Sequence, residues 1–150
     1  MIGLVGESSH SLDTKWRLNI PTRFREVLGE EFAITKSLTG KCLSIYPEKE
    51  WKELQEKLES LPLTTNSDAM RLARFLLGSA VVGGLDKQGR VLIPASLREY
   101  AALDKEVTVL GVLKQIEIWD KEAYIAEDQN SEDSRESILE SVKASTGVSI

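Results

Sequence analysis

A ten-residue stretch of this chain occurs twice. Leu12-Asp13-Thr14-Lys15-Trp16-Arg17-Leu18-Asn19-Ile20-Pro21 is answered by Leu85-Asp86-Lys87-Gln88-Gly89-Arg90-Val91-Leu92-Ile93-Pro94. The offset from position 13 to position 86 is 73, and Arg17/Arg90, Pro21/Pro94, Arg25/Arg98 and Glu26/Glu99 all keep it. A repeat at fixed spacing constrains the fold before any single element does. Two copies are too few for a stacked array. They predict two half-folds closing one core about a pseudo-twofold axis.

Each copy predicts a strand, a tight turn, a second strand and a short helix. In copy two, Lys87-Gln88-Gly89 lies between the apolar runs Val81-Val82 and Val91-Leu92-Ile93. Gly89 can take positive φ without a steric penalty, and Asp86 can accept backbone bonds across the turn. In copy one Trp16 stands where Gly89 stands, so that turn either bears strain or changes type. Pro21 and Pro94 suit the first turn of a helix. Phe24, Val27 and Leu28 have the spacing of one helix face, and Leu97, Tyr100 and Ala101 repeat it. Glu26 and Glu99 fall on the polar side. Two further strands per copy follow: Phe32 to Thr35 and Cys42 to Tyr46, then Glu106 to Leu110 and Gln115 to Trp119. Thr39-Gly40-Lys41 predicts a hairpin turn.

A helical insert separates the copies. Trp51, Leu54, Leu58 and Leu61 mark an amphipathic helix from Glu48, ended by Pro62. Asn66-Ser67-Asp68 caps a second helix that runs through Leu77 and stops at Gly78. The expected partition is one pseudo-symmetric domain over residues 1–126. Within it, repeat one spans about 5–51, the insert 48–78 and repeat two about 79–126. In copy two the counterpart of the first insert helix is short, around Lys121 to Ala126. The acidic tail, 127–150, is expected to be flexible or loosely helical.

A chain of 150 residues fits one ordinary domain with a real core. No apolar run approaches the roughly 20 residues that span a bilayer. The start, Met1 to Glu7, lacks the basic and apolar regions of a secretory signal. The lone Cys42 cannot form an internal disulfide and is expected to be a buried or half-buried strand residue. A cytoplasmic location follows as an expectation. The net charge of −5 argues against a protein that coats nucleic acid uniformly. The charge is unevenly spread, however. Lys15, Arg17, Arg23 and Arg25 face only Asp13 between His10 and Arg25, whereas Asp128, Glu132, Asp133, Glu136 and Glu140 dominate the tail.

The paired Asp13-x-x-x-Arg17 and Asp86-x-x-x-Arg90 motifs are each followed by an apolar strand and a proline. With His10-x-x-Asp13, Pro21-Thr22-Arg23-Phe24-Arg25-Glu26, Arg74-Phe75-Leu76-Leu77-Gly78 and Ile118-Trp119-Asp120-Lys121, this pattern resembles the MraZ family of bacterial transcriptional regulators. That family belongs to the SpoVT/AbrB-like swapped-hairpin superfamily. The likeness runs from about Ile2 to Tyr124. It implies an α+β, mainly β fold: a pseudo-twofold double-psi/swapped-hairpin barrel of two tandem repeats with short helices and a helical insert. It also implies homo-oligomeric rings, associated with the nucleoid, that bind direct repeats in double-stranded DNA. Such rings would repress the division and cell-wall gene cluster and their own promoter. The family usually carries glycine before the arginine, so Trp16 is a departure.

Independently of the resemblance, a ribbon carrying arginine can enter the major groove, where a guanidinium reads guanine O6 and N7. Arg17 and Arg90 are the candidates for that role, with Lys15 and Lys87 as phosphate contacts beside them. By the resemblance, Arg25 and Arg98 match the helix arginine that AbrB-like proteins turn toward DNA. Asp13 and Asp86 are expected to orient the turns, since a carboxylate beside phosphate is repelled. Other readings of the same residues exist. Asp and Arg four apart also form a local ion pair worth about 0.5 kcal/mol with no ligand, and Arg25 and Arg98 also suit a solvated helix face. Trp51, Trp119 and Tyr124 suit core or interface anchors, and His10 is assigned to structure. The apolar insert helix and acidic tail also fit a protein-interaction module, such as an antitoxin-like or methyltransferase-modulating barrel. An enzyme is disfavoured, because the candidate carboxylates sit beside arginines that lower their pKa. No nucleophile–base pair, phosphate loop or metal cluster is visible in the sequence, and no cofactor is expected.

Overall fold

The computed structural model describes residues 3–150. Copy one supplies β1 (Leu4–Ser11), β2 (Arg17–Asn19), α1 (Thr22–Leu28), β3 (Phe32–Lys36) and β4 (Leu43–Pro47). The insert is α2 (Glu48–Glu59) and α3 (Ser67–Leu77). Copy two supplies β5 (Val81–Gly83), β6 (Arg90–Leu92), α4 (Ala95–Tyr100), β7 (Glu106–Leu113) and β8 (Gln115–Asp120). Two helices follow, α5 (Lys121–Asp133) and α6 (Arg135–Thr146). The chain is thus α+β and mainly sheet up to Asp120.

Strand pairing mixes the copies. A six-stranded antiparallel sheet has the order β1-β7-β8-β4-β3-β5, and β2 pairs with β6 in a separate two-stranded ribbon. Interchanging the copies reverses the order of the large sheet and leaves it otherwise unchanged. The first strand of each copy joins the third strand of the other, β1 to β7 and β5 to β3. So the strands flanking each Asp–Arg turn do not form a ladder with one another among the described residues.

The offset of 73 interchanges the pairs Leu43↔Ile118 and Ile45↔Ile116 between β4 and β8. It does the same for Arg17↔Leu92 and Asn19↔Arg90 between β2 and β6. Strands β3 and β7 depart from it. Phe32 lies opposite Pro47 and Gly83, whereas Val107 lies opposite Asp120 and His10. Their offset is therefore 107 − 32 = 75. Two more residues precede β7, and the β7–β8 turn is shorter by the same two. That turn closes tightly at Leu113-Lys114, with Leu113 at φ 58.

One core serves both copies. Leu18, Ile20, Phe24 and Leu28 are buried, as are their counterparts Val91, Ile93, Leu97 and Ala101. Leu43 and Ile45 repeat as Ile116 and Ile118, and Phe32 and Ile34 as Val107 and Val109. The apolar spacing of α1 and α4 puts those helices over this core, with Val27 and Tyr100 packed at its rim. The insert docks from outside. Asn66 caps α3 by accepting from the Asp68 and Ala69 amides at 3.0 Å each. Buried Thr35 on β3 donates its hydroxyl to the Leu76 carbonyl at 2.6 Å, tying the far end of α3 to the sheet. Cys42 is fully buried in the loop that leads into β4.

The chain divides into two compact units, the second being Lys121–Ile150. The short helix expected near Lys121 to Ala126 runs on to Asp133, and α6 continues to Thr146. Between 121 and 146 there is no proline or glycine to break a helix, and Gly147 supplies the left-handed cap at φ 74. Among the described residues no helix is long and apolar enough to cross a membrane, and no cluster of metal-ligating side chains occurs.

Candidate functional site

The two Asp–Arg turns have nearly the same geometry. In the first, Asp13 Oδ1 accepts from the Lys15 and Arg17 amides at 2.8 and 2.9 Å, and Oδ2 accepts from Arg17 Nε at 2.8 Å. In the second, Asp86 Oδ1 accepts from the Gln88 and Arg90 amides at 2.9 Å each, and Oδ2 accepts from Arg90 Nε at 2.9 Å. Backbone bonds close both turns. Asp13 donates to Arg17 and Trp16 to Asp13, each at 3.0 Å, and Asp86 and Gly89 do the same at 2.9 and 3.0 Å. The carboxyls are held below their ordinary range. The backbone amide of each turn's own arginine is the main cause; desolvation opposes it, and the arginine's guanidinium and a second backbone amide lower the pKa further. The ion-pair reading of DxxxR is thus realised in both copies, through the Nε edge of each arginine.

Pairing of β2 with β6 sets the two turns side by side. The Ile20 amide donates to the Gly89 carbonyl and the Ile93 amide to the Trp16 carbonyl, both at 3.0 Å. Arg90 Nη1 lies 3.8 Å from Asp13 Oδ2, so the first turn's carboxylate faces both arginines. The side chains of Arg17 and Arg90 remain 31 % and 23 % exposed. The structure therefore gathers two arginines 73 positions apart in sequence onto one ribbon, each paired with its own turn's aspartate.

Trp16 and Gly89 share a backbone conformation despite their difference in size. Trp16 has φ 62 and Gly89 φ 77, so the first turn keeps its type and bears the strain. What lies over each tip differs. The Arg98 guanidinium sits over the Trp16 ring at 4.3 Å from its centroid. Over the second tip the Arg25 guanidinium occupies the space that a side chain on Gly89 would need. Each helix arginine thus covers the turn of the opposite copy. Each is also anchored to the backbone just past its own copy's ribbon strand, Arg25 Nε donating to Ile20 O at 2.8 Å and Arg98 Nη1 to Ile93 O at 2.6 Å.

Lys15 and Lys87 are exposed on the turns, but they are not counterparts, because the offset pairs Lys15 with Gln88 and Lys87 with Thr14. His10 sits apart from the turns on β1. Its Nε2 is 2.8 Å from Ser8 Oγ, and burial, then the Arg23 charge, lowers its pKa. Sequence reasoning missed the approach of Arg90 to Asp13 and the Arg98–Trp16 stack. Both depend on the exchange of strands between copies, and only the shared offset of 73 hinted at them.

Comparison with known proteins agrees with this architecture. A family model described as "MraZ protein, putative antitoxin-like" matches residues 4–74 and again 76–147. A protein named transcriptional regulator MraZ from Desulforamulus reducens is 46 % identical over 138 residues, covering 92 % of this chain and 96 % of its own length. One of the same name from Clostridium acetobutylicum is 50 % identical over 129 residues, covering 86 % and 89 %. Another from Carboxydothermus hydrogenoformans is 51 % identical over 120 residues, covering 80 % and 82 %. The double match falls on the two copies whose strands exchange, and the relatives span nearly the whole chain: this protein belongs to the MraZ family.

Proposed function

We propose that this chain is a sequence-specific DNA-binding transcriptional regulator whose β2–β6 ribbon and flanking turns enter the major groove. The observation that carries this reading is the convergence of Arg17 and Arg90 on Asp13 at one exposed ribbon. Their Nε edges are held by the aspartates, which orients the guanidinium planes in advance. The Nη groups are the part suited to guanine O6 and N7. Lys15 and Lys87 contact phosphate beside them, and Arg25 and Arg98 frame the tips while adding positive charge. Six cations against the two carboxylates make the patch attractive to DNA although the whole chain carries −5. The acidic unit after Asp120 has no part in that contact, since its charge repels phosphate.

We infer further that the reciprocal exchange of β1 and β5 belongs to a barrel of the double-psi/swapped-hairpin kind. The name shared by the relatives, transcriptional regulator MraZ, supports regulation of transcription; repression of the division and cell-wall gene cluster and of the chain's own promoter is the form of it that we propose. Binding to direct repeats by a ring of copies, in the nucleoid, completes the reading. The open edge at β5, with Val81 and Val82 exposed, suits contact between copies. Linked turns would then gain affinity through avidity.

A gel-shift with the chain's own upstream promoter across a salt series tests this. Sequence-selective binding that weakens steeply as salt rises is expected. Salt-insensitive or absent binding, together with a stoichiometric protein partner, would establish the interaction-module reading instead.

A further inference from the structure

The two turn tips share a backbone and present different chemistry. At the second tip Arg25 packs onto the bare backbone of Gly89, beside exposed Lys87 and Gln88, and no apolar side chain is presented. The first offers an indole that is 39 % exposed and adjoins Arg17 in the chain. The conformation of Trp16 is one that glycine adopts freely and a bulky side chain does not. The Trp16 ring is not used in the core, although its backbone holds the turn through Asp13 and Ile93. The Arg98 guanidinium lies over the ring and fixes its orientation. A rigid, flat, partly exposed apolar surface beside a groove-reading arginine has one natural complement on duplex DNA. That complement is the C5-methyl group of thymine, the apolar landmark of the major groove.

We propose that Trp16, held by Arg98, is a specificity-determining residue that selects thymine at one position of each repeat by contact with its methyl group. This rests on the DNA-binding reading above and deepens it. The second turn makes no such selection, because Gly89 has no side chain. Recognition by the two turns is therefore unequal: the first carries an apolar indole beside its guanidinium, and the second does not.

The test uses the full chain and a duplex of its own upstream promoter, in which each thymine is replaced in turn by deoxyuridine. That exchange removes the methyl group and keeps the base pair. The wild-type chain is expected to lose about fourfold in affinity at one thymine per repeat, the effect of one buried methyl group. Trp16→Gly is expected to bind the unmodified duplex more weakly and to show no loss at that position. Its fold is preserved, since glycine accepts the backbone angle, and its unfolding temperature is expected to equal or exceed that of the wild type. Trp16→Phe keeps an aromatic ring and is expected to retain the methyl sensitivity. A flat deoxyuridine profile for the wild type, or the same profile in Trp16→Gly, overturns the proposal and leaves DNA binding intact. Failure of the wild type to bind the unmodified duplex at all overturns both.

Discussion

At the scale of single residues, Asp13 and Asp86 each accept two backbone amides and one guanidinium edge. Folding therefore favours their ionised forms, with the amide of Arg17 or Arg90 as the first cause. A carboxyl whose pKa is depressed by folding contributes stability above its unfolded value, here the ordinary 3.8. That contribution disappears as pH falls through the lower, folded value. The double variant Asp13→Asn/Asp86→Asn is expected to unfold at a lower temperature than the wild type at neutral pH. The gap should close below pH 3.8, and thermal melts across a pH series would show it. Positive φ angles make a second residue-level case. Ala102 at φ 50 stands 73 positions after Gly29 at φ 68, the reverse of the Trp16/Gly89 substitution. Ala102→Gly is expected to stabilise by about 0.5 kcal/mol, the left-handed penalty less the added freedom of the unfolded chain. A shift of the denaturant midpoint at constant slope would confirm it.

Among the elements, the ribbon and the two short helices act as one device. Leu18 and Val91 put the ribbon's inner face into the core, and α1 and α4 reach across it with Arg25 and Arg98. Removing either arginine loses a charge-assisted bond to a backbone carbonyl. Arg25→Ala and Arg98→Ala are each expected to cost about 1.5–3 kcal/mol in stability. Arg17→Ala and Arg90→Ala break only partly exposed pairs and are expected to cost less than about 1 kcal/mol. In DNA binding the order reverses, the turn arginines losing about 1–3 kcal/mol of discrimination at a guanine. Parallel melts and gel-shifts on the four variants separate a supporting role from a contacting one. Leu97→Ala, deep under α4, is expected to cost about 2–5 kcal/mol by leaving a cavity in the shared core.

For the whole molecule, the core cluster draws all of its members from Leu4 to Ile118, inside the first compact unit. A chain ending at Asp120 is accordingly expected to unfold in one cooperative transition, measurable by calorimetry. Its DNA affinity should show the salt slope of the full chain, because the cationic patch lies wholly within that unit.

Much of this was present in the sequence. The duplication marked the two-part build. Apolar spacing placed α1, α4 and the first insert helix, a cap and a glycine stop bounded the second, alternation placed β4 and β8, and short apolar runs placed β3 and β7. The Asp–Arg turns and the positive φ at Gly89 followed from side-chain chemistry within five residues. These signals are local, and local hydrogen bonds and periodicity suffice to set them. Tertiary structure alone decided that β1 joins β7, that β2 joins β6, and that Arg17 and Arg90 therefore share one ribbon. Backbone hydrogen bonds are the same for every residue, so two similar copies do not encode whether a strand pairs with its own half or with the other. Burial of one common core makes that choice. The same packing holds Trp16 in a glycine's conformation and places Arg98 over its ring.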